Sequence, residues 1–215
     1  QPMKLLLTAF DPFGGEQVNP AQEAVRLVPD RVGDVDIIKC EVPTVFDGSV
    51  EVVAQAIDRH RPDAVLCVGQ AGGRDALTPE RVAINLDDAP IPDNAGHQPV
   101  DCTIFPDGET AYFSTLPVKA MAEAIRQAGL PAKVNYTAGT FVCNHLMYGV
   151  LYTLDKGYPG VRGGFLHVPY IPRQVAPGSG VPSMELTDIV RGLEAAIGAI
   201  AAHDTDLSSP GGQPH

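Results

Sequence analysis

The residues in this chain best suited to covalent chemistry are Cys143 and His167. Cys143 lies in Val134-Asn135-Tyr136-Thr137-Ala138-Gly139-Thr140-Phe141-Val142-Cys143-Asn144-His145, where an apolar, strand-like run gives way to a helical pattern. A thiol at a helix N-terminus feels unpaired backbone amides and the positive end of the macrodipole. This predicts a pKa below the ordinary value of about 8.5, in the range of roughly 3.5 to 7.5. His167 ends the run Gly163-Gly164-Phe165-Leu166-His167-Val168-Pro169. A cysteine with a separate histidine is the minimal pair for acyl transfer through a thioester. A third group should orient the imidazole and stabilise its charged form. Glu80, in Thr78-Pro79-Glu80-Arg81, is a candidate, although it is one of 26 acidic residues.

Other motifs carry less. Asn144-His145 beside Cys143, with His97 and Cys102, invites a metal reading. No cluster has zinc-site spacing, and His145 would point about 200° around the helix from Cys143, so no metal is expected. Gly14-Gly15 and Gly72-Gly73 match neither GxGxxG nor a Walker A loop; they read as turns, and no cofactor is expected. Phe10 and Phe13 in Thr8-Ala9-Phe10-Asp11-Pro12-Phe13-Gly14-Gly15 put two aromatics on a loop, suited either to a flat uncharged ligand or to packing beneath it.

The elements that must position these residues follow from periodicity. Lys4 to Ala9, Val35 to Val42, Ala64 to Gly69 and Gly163 to Val168 read as strands, as does the Val134 run. Asn19-Pro20 is an N-cap followed by proline at the first helical position, opening a helix toward Pro29. Val50, Val53, Ala54 and Ile57 repeat at helical spacing after an Asp47 or Ser49 cap, as do Val118, Met121, Ala122 and Ile125. A last helix carries Leu186, Ile189, Val190, Leu193, Ile197 and Ile200. Alternating strands and helices imply a largely parallel sheet covered on both faces. Phe10, Gln70, Cys143 and His167 all fall at the carboxyl ends of expected strands, the edge where ligand crevices form. Residues 70 to 115 interrupt the rhythm with a short strand around Arg81 to Leu86 and a Pro/Asp/Asn-rich stretch, an insertion of the kind that is functional or mobile.

The 215 residues are 44% apolar and 19% charged, enough for one α/β domain over residues 1–203. Residues 204–215 hold too little apolar content to pack and are expected to be disordered. A net charge of −11 without any Lys/Arg run argues against nucleic acid or an anionic membrane surface as partner. No apolar stretch reaches the roughly 20 residues of a membrane span. Four scattered cysteines, with no CxxC pair and no signal-like start, point to a reducing cytoplasm. Cys40 and Cys67 sit in apolar runs and read as small core residues.

Three segments resemble the pyroglutamyl peptidase I family of cysteine peptidases. They are Thr8 to Gly15 through Asn19-Pro20; Val68-Gly69-Gln70-Ala71-Gly72-Gly73-Arg74 through Thr78-Pro79-Glu80-Arg81-Val82-Ala83-Ile84-Asn85 to Ile91-Pro92-Asp93-Asn94; and Gly139 to His145 with Phe165 to Pro169. The resemblance implies a three-layer α/β/α sandwich around a mostly parallel twisted sheet, assembled as a homo-oligomer, tetramer or dimer. It implies removal of N-terminal 5-oxoproline from peptides by Cys143 as nucleophile, His167 as base and acid, and Glu80 as orienting carboxylate. Phe10 and Phe13 would wall the lactam pocket, with Asn19, Thr44, Gln70, Phe141 and Val142 nearby. An uncharged lactam has no amine to anchor, so aromatic faces and a few amide hydrogen bonds suit it. One departure stands out: where family members often carry Arg, this chain has Pro90, in Asp87-Asp88-Ala89-Pro90-Ile91-Pro92. A binder of blocked N-termini without catalysis, or another hydrolase or phosphorylase of similar architecture, are the competing readings.

Overall fold

Strand β1 (Met3–Phe10) is buried without a break from Leu5 to Phe10, so both of its faces must be covered. The computed structural model, which describes residues 1–215, puts it at the centre of the main sheet. β1 pairs in parallel with β3 (Val35–Val42) and β4 (Ala64–Gln70), and β4 pairs in parallel with β8 (Arg162–Val168). Short antiparallel strands close the edges: β2 (Arg31–Val32) on β3, and β5 (Thr78–Pro79) on β8. The order is β2-β3-β1-β4-β8-β5. A separate antiparallel pair joins β6 (Val82–Ile84) to β7 (Ala111–Phe113).

Side chains alternate between the two faces of each strand. On one face Leu5, Leu7, Leu66, Val68 and Leu166 are among 28 buried residues beneath α1 (Pro20–Leu27), α3 (Val118–Gln127) and α5 (Leu186–Ala202). On the other, Leu6, Phe10, Val65, Cys67 and Phe165 are among 20 beneath α2 (Phe46–His60) and α4 (Val142–Gly157). Two cores separated by one sheet make the α/β/α sandwich expected from the resemblance.

Caps separate what is local from what is not. Asn19 caps α1 as expected, its Oδ1 accepting from Ala21 N at 2.9 Å, with Pro20 first in the helix. The cap of α2 is neither Asp47 nor Ser49, both of which lie inside the helix. Instead the Phe46 N–H donates to Asp93 Oδ2 at 3.0 Å, while Ser49 Oγ turns back to the Phe46 carbonyl at 2.7 Å. Asp93 lies in the Pro/Asp/Asn-rich insertion, and its carboxylate also accepts from Ala95 N and His97 N, both at 2.9 Å.

The Val134 run is not a strand. It meets the β5 segment only through single bridges, Leu77 with Ala132 and Glu80 with Asn135. Pro79 has no N–H to donate, so no continuous ladder forms. The strand expected over Arg81 to Leu86 is shortened to β6, because side chains replace the ladder beyond it. Asn144 Oδ1 accepts from Ile84 N at 3.0 Å, and Asn85 Oδ1 accepts from Ile104 N and Phe105 N, both at 2.9 Å.

After His203 the chain forms neither helix nor strand, yet its contacts are polar rather than apolar. The Asp206 carboxylate accepts from Lys119 N at 3.1 Å and Ala120 N at 2.9 Å, capping α3, and Lys119 Nζ donates to the Ser209 carbonyl. No helix is long and apolar enough to cross a membrane.

Candidate active site

Cys143 is the second residue of α4, whose N-terminus follows Phe141 with no side-chain cap. The first-turn amides therefore stay open around the sulfur. Packing, rather than a preceding strand, sets where that sulfur lies: a β-carbon added at Gly69 would stand 2.8 Å from Cys143 Sγ and 2.7 Å from Phe165 Cζ. Gly69 is thus the floor of the site, and its missing side chain is what lets α4 approach β4. In the parallel register Gly69 is paired with His167, one strand spacing away, about 4.8 Å. The sulfur and the imidazole are brought to neighbouring strands on the same sheet face. His167 is 3% exposed and packs against the Phe165 ring, centroids 4.7 Å apart.

Glu80 follows β5 directly and is fully buried. Antiparallel pairing of Thr78 with His167 carries its side chain to the imidazole, where Nδ1 and Oε1 are 2.9 Å apart. An ionised carboxylate only accepts, so the proton is on Nδ1 and Nε2 is left as the basic nitrogen. Three further groups hold the carboxylate. Arg74 Nη1 donates to Oε1 at 2.6 Å, and Asn135 Nδ2 donates to Oε1 at 3.0 Å and Oε2 at 2.7 Å. Arg74 is itself steadied by Thr78 Oγ1 at 2.7 Å and the Thr137 carbonyl at 3.3 Å.

Gly69 and Arg74 stand in the motif segments and Asn135 in the run before Cys143, but the sequence assigns none of them a task. Arg74, six positions from Glu80 in a glycine loop, was the one visible signal. Asn135 needs the bridge to Glu80, and Gly69 needs the register.

Burial raises the Cys143 thiol above its ordinary value; the nearby Glu80 charge adds to this and Arg74 opposes it. The direction is opposite to the lowering expected from the helix N-terminus, with desolvation its largest cause. Burial likewise lowers the His167 pKa, with the Glu80 hydrogen bond and charge offsetting only part. For Glu80, burial alone would raise the carboxyl, but His167, Arg74 and Asn135 together hold it below the ordinary value. The resting site is a neutral thiol, a neutral imidazole and an ionised carboxylate.

The remaining candidates divide by environment. Phe13 and Phe141 are half-buried with ring centroids 5.9 Å apart, and Phe46 meets Phe141 edge-on at 5.4 Å. Phe10 is 2% exposed and packs against Phe165 at 6.4 Å, and Val142 is fully buried; both belong to the core under the site. Thr44 and Asn19 converge on Asp11. Thr44 N and Oγ1 donate to Asp11 Oδ1 at 2.8 and 2.7 Å, and Asn19 Nδ2 donates to the Asp11 carbonyl at 3.3 Å. They shape the loop that carries Phe13. Gln70 ends β4, and alternation sends its side chain off the face opposite Gly69, where it meets Gln174 at 2.8 Å.

His145 joins no metal cluster. Its Nδ1 lies 2.9 Å from both oxygens of the buried Asp87, and its ring meets Phe46 edge-on at 5.3 Å. Pro90 is exposed on the loop whose Ile91 side chain packs by Gly14, beside the aromatic wall. All four cysteines are free.

A sequence profile described as Pyroglutamyl peptidase matches residues 3–203. The chain is 56% identical over 215 residues to the pyrrolidone-carboxylate peptidase of Streptococcus suis, covering 99% of this chain and 100% of the relative. With the pyrrolidone-carboxylate peptidase of Levilactobacillus brevis it shares 60% over 204 residues, 95% and 100% of the two chains. The crystal structure of pyroglutamyl peptidase I from Bacillus amyloliquefaciens superposes with a TM-score of 0.94 at 50% identity, covering 98% of this chain and 100% of that one. Pyrrolidone carboxyl peptidase from Thermococcus litoralis gives a TM-score of 0.93 at 32% identity, covering 97% and 99%. With its sheet, its buried Glu80 and His167 pair and its thiol at the start of α4, this chain belongs to the pyroglutamyl peptidase family.

Proposed function

We infer that this chain is a cysteine omega-peptidase that removes N-terminal pyroglutamate from peptides, with Cys143, His167 and Glu80 as its catalytic residues. The observation that carries the residue assignment is the hydrogen bond of His167 Nδ1 to the buried Glu80, on the strand next to the glycine that Cys143 Sγ touches.

The chemistry follows from the protonation states. Cys143 Sγ attacks the pyroglutamyl carbonyl carbon while its proton passes to His167 Nε2, so no free thiolate is needed beforehand. The imidazolium that forms is stabilised by ionised Glu80. The oxyanion faces the uncapped amides at the start of α4. His167 then gives its proton to the departing amine, leaving a thioester on Cys143. Water, deprotonated by His167, releases pyroglutamate and restores the thiol.

Specificity for an uncharged ring is supported by Phe13 and Phe141, whose apolar rings stand 5.9 Å apart. Phe10 and Val142 support that wall from below, and Thr44 and Asn19 set its loop through Asp11. Gln70 borders the site through its backbone alone, because its side chain leaves β4 on the other face. Residues 1–203 act as one peptidase domain, working without a metal or cofactor as a homo-oligomer in a reducing cytoplasm, consistent with four unpaired cysteines.

A pyroglutamyl fluorogenic amide and the matching prolyl amide test the reading. The protein should release fluorophore from the first alone, and Cys143→Ala should abolish it. Equal release from both, or binding of a pyroglutamyl peptide without cleavage, would overturn catalysis in favour of a binder.

A further inference from the structure

Cys143 is followed on α4 by Asn144 and His145, two polar side chains that the mechanism above does not use, and these residues are only 1% and 2% exposed. A buried polar group costs free energy unless it finds a partner, so where these two bond is informative. Both reach the same stretch of chain. Asn144 Oδ1 accepts from Ile84 N at 3.0 Å, and its Nδ2 donates to the Ile84 and Leu86 carbonyls at 2.9 and 3.3 Å. His145 Nδ1 donates to the Asp87 carboxylate, 2.9 Å from both oxygens. On the other side of Cys143, Asp88 N donates to the Thr140 carbonyl at 3.0 Å, and Thr140 Oγ1 donates to the Asp88 carbonyl at 2.7 Å. Residues 84–88 are thus bonded to the start of α4 from Thr140 to His145, with Phe141 and Cys143 inside the span.

That stretch is itself anchored at both ends. Ile84 pairs with Ala111 between β6 and β7, and Asp87 exchanges both backbone hydrogen bonds with Cys102, at 2.7 and 2.9 Å. Four residues before Ile84 stands Glu80, held against His167 by Arg74 and Asn135. One run of chain, residues 80–88, carries the triad carboxylate at one end and grips the turn of the nucleophile at the other. We propose that His145 and Asp87 are positioning residues: their bond, with those of Asn144 and Thr140, clamps the first turn of α4 so that the Cys143 sulfur and the open amides beside it keep their place relative to His167 and Glu80. This rests on the proposed function, in which Cys143 is the nucleophile. The His145 ring has a separate effect. It meets Phe46 edge-on at 5.3 Å, and Phe46 meets Phe141 edge-on at 5.4 Å, so the ring supports the pocket wall while the Nδ1 proton holds the turn.

The two effects separate in kinetics on a pyroglutamyl amide, with kcat taken per folded molecule. His145→Phe combined with Asp87→Leu removes the bond, keeps a ring against Phe46 and leaves no unpaired carboxylate, an exchange that is often close to neutral for stability. A reacting atom displaced by about 1 Å costs on the order of 100-fold, so kcat should fall about that far with KM within about threefold. His145→Asn does the reverse, because its Nδ2 stands where Nδ1 stood and the ring is lost; KM should rise about fivefold with kcat within about threefold. Asp87→Asn keeps an accepting oxygen and should hold kcat within about threefold of the parent. A kcat within about threefold of the parent in the double variant, or a loss as deep in His145→Asn or Asp87→Asn as in the double variant, overturns the proposal. Thr140→Val deletes only the hydroxyl bond to Asp88 on a half-buried residue, so it tests the clamp even if the double variant fails to fold. There kcat should drop about fivefold, the scale of one hydrogen bond, and an unchanged kcat overturns the clamp.

Backbone amide hydrogen exchange, followed by mass spectrometry, reads the turn without turnover. The bond from His145 N to the Phe141 carbonyl at 3.1 Å closes that turn. Peptides covering residues 140–150 should exchange about tenfold faster in the double variant than in the parent, while those from β1 and β4 keep their rates. Equal exchange in the two proteins overturns the clamp even if the enzyme is active. The expected exchange in a protein that cleaves no pyroglutamyl amide would instead sink the functional reading and leave the clamp standing.

Discussion

Gly69 and Cys143 touch across the sheet edge so closely that a single methyl group would not fit between them: a β-carbon at Gly69 would lie 2.8 Å from the sulfur. The same carbon would lie 2.7 Å from Phe165 Cζ, the ring that His167 packs against. The thiol and the imidazole are therefore seated on a common floor, and the floor is glycine because α4 comes within contact of β4.

Replacing Gly69 by Ala should push the sulfur away from His167 without touching either catalytic side chain. A displacement of about 1 Å at a reacting atom costs on the order of 100-fold in rate. We expect kcat/KM on a pyroglutamyl amide to fall at least that far in Gly69→Ala, while far-UV circular dichroism stays unchanged. Activity within threefold of the parent would show that the site does not need this contact.

Glu80→Gln keeps the shape of the side chain but removes the charge that stabilises the imidazolium. It also leaves Arg74 facing an uncharged amide. Loss of the orienting carboxylate in a catalytic triad costs on the order of 10⁴ in kcat, and we expect a loss of that order here. Stability should change in a pH-dependent way. The folded Glu80 pKa lies below its ordinary value of 4.5, so its contribution is present above that pH and is lost as pH falls through the folded value. The folded His167 pKa is also lowered, from 6.5, so folding is favoured above that pH and weakens as pH drops below it. Both act in the same direction, and thermal denaturation should show a Tm that declines below about pH 6.5. In Glu80→Gln the part of the decline below pH 4.5 should shrink; an unchanged acid limb would contradict the assignment.

Proton transfer from Cys143 to His167 predicts a particular dependence of thiol reactivity. Because burial raises the thiol pKa, the sulfur becomes nucleophilic only as Nε2 takes its proton. His167→Ala should slow alkylation of Cys143 by iodoacetamide at pH 7 by about tenfold or more. Rates at Cys40, Cys67 and Cys102 should not change, as peptide mass mapping would report. Equal Cys143 rates in parent and variant would mean that the thiol ionises independently. The acid limb of kcat/KM should fall below the ordinary histidine value of 6.5, since burial lowers His167.

Asp93 ties the Pro/Asp/Asn-rich insertion to α2 through three backbone amides. Asp93→Ala strands the Phe46 N–H in the core beside Phe141 and should cost about 1 to 3 kcal/mol of stability, the price of an unmet buried donor. Chemical denaturation would measure it. KM should rise with it, because Phe46 supports Phe141 edge-on. A destabilisation under 0.5 kcal/mol, about the level of an ordinary surface change, would refute the capping role.

Much of this protein is legible from residue order because the signals are local. Asn19-Pro20 starts α1 as written, since a cap and the amide it satisfies are two residues apart. The apolar runs of β1, β4 and β8 read as strands because both of their faces are buried. The motif segments around Cys143, His167 and Glu80 were enough to resemble one family, and the profile over residues 3–203 agrees.

What the order of residues left undecided depends on partners distant along the chain. Nothing near Phe46 reveals that Asp93 caps its helix, and nothing near Pro79 reveals that the Val134 run fails to form a ladder. Glu80 is one carboxylate among many until register places it against His167 and folding encloses it with Arg74 and Asn135. The thiol shows the division most clearly. Its helix position predicts a lowered pKa, because a dipole acts over one turn. Its actual direction is set by desolvation, which depends on everything that packs around the sulfur and so belongs to the tertiary structure alone.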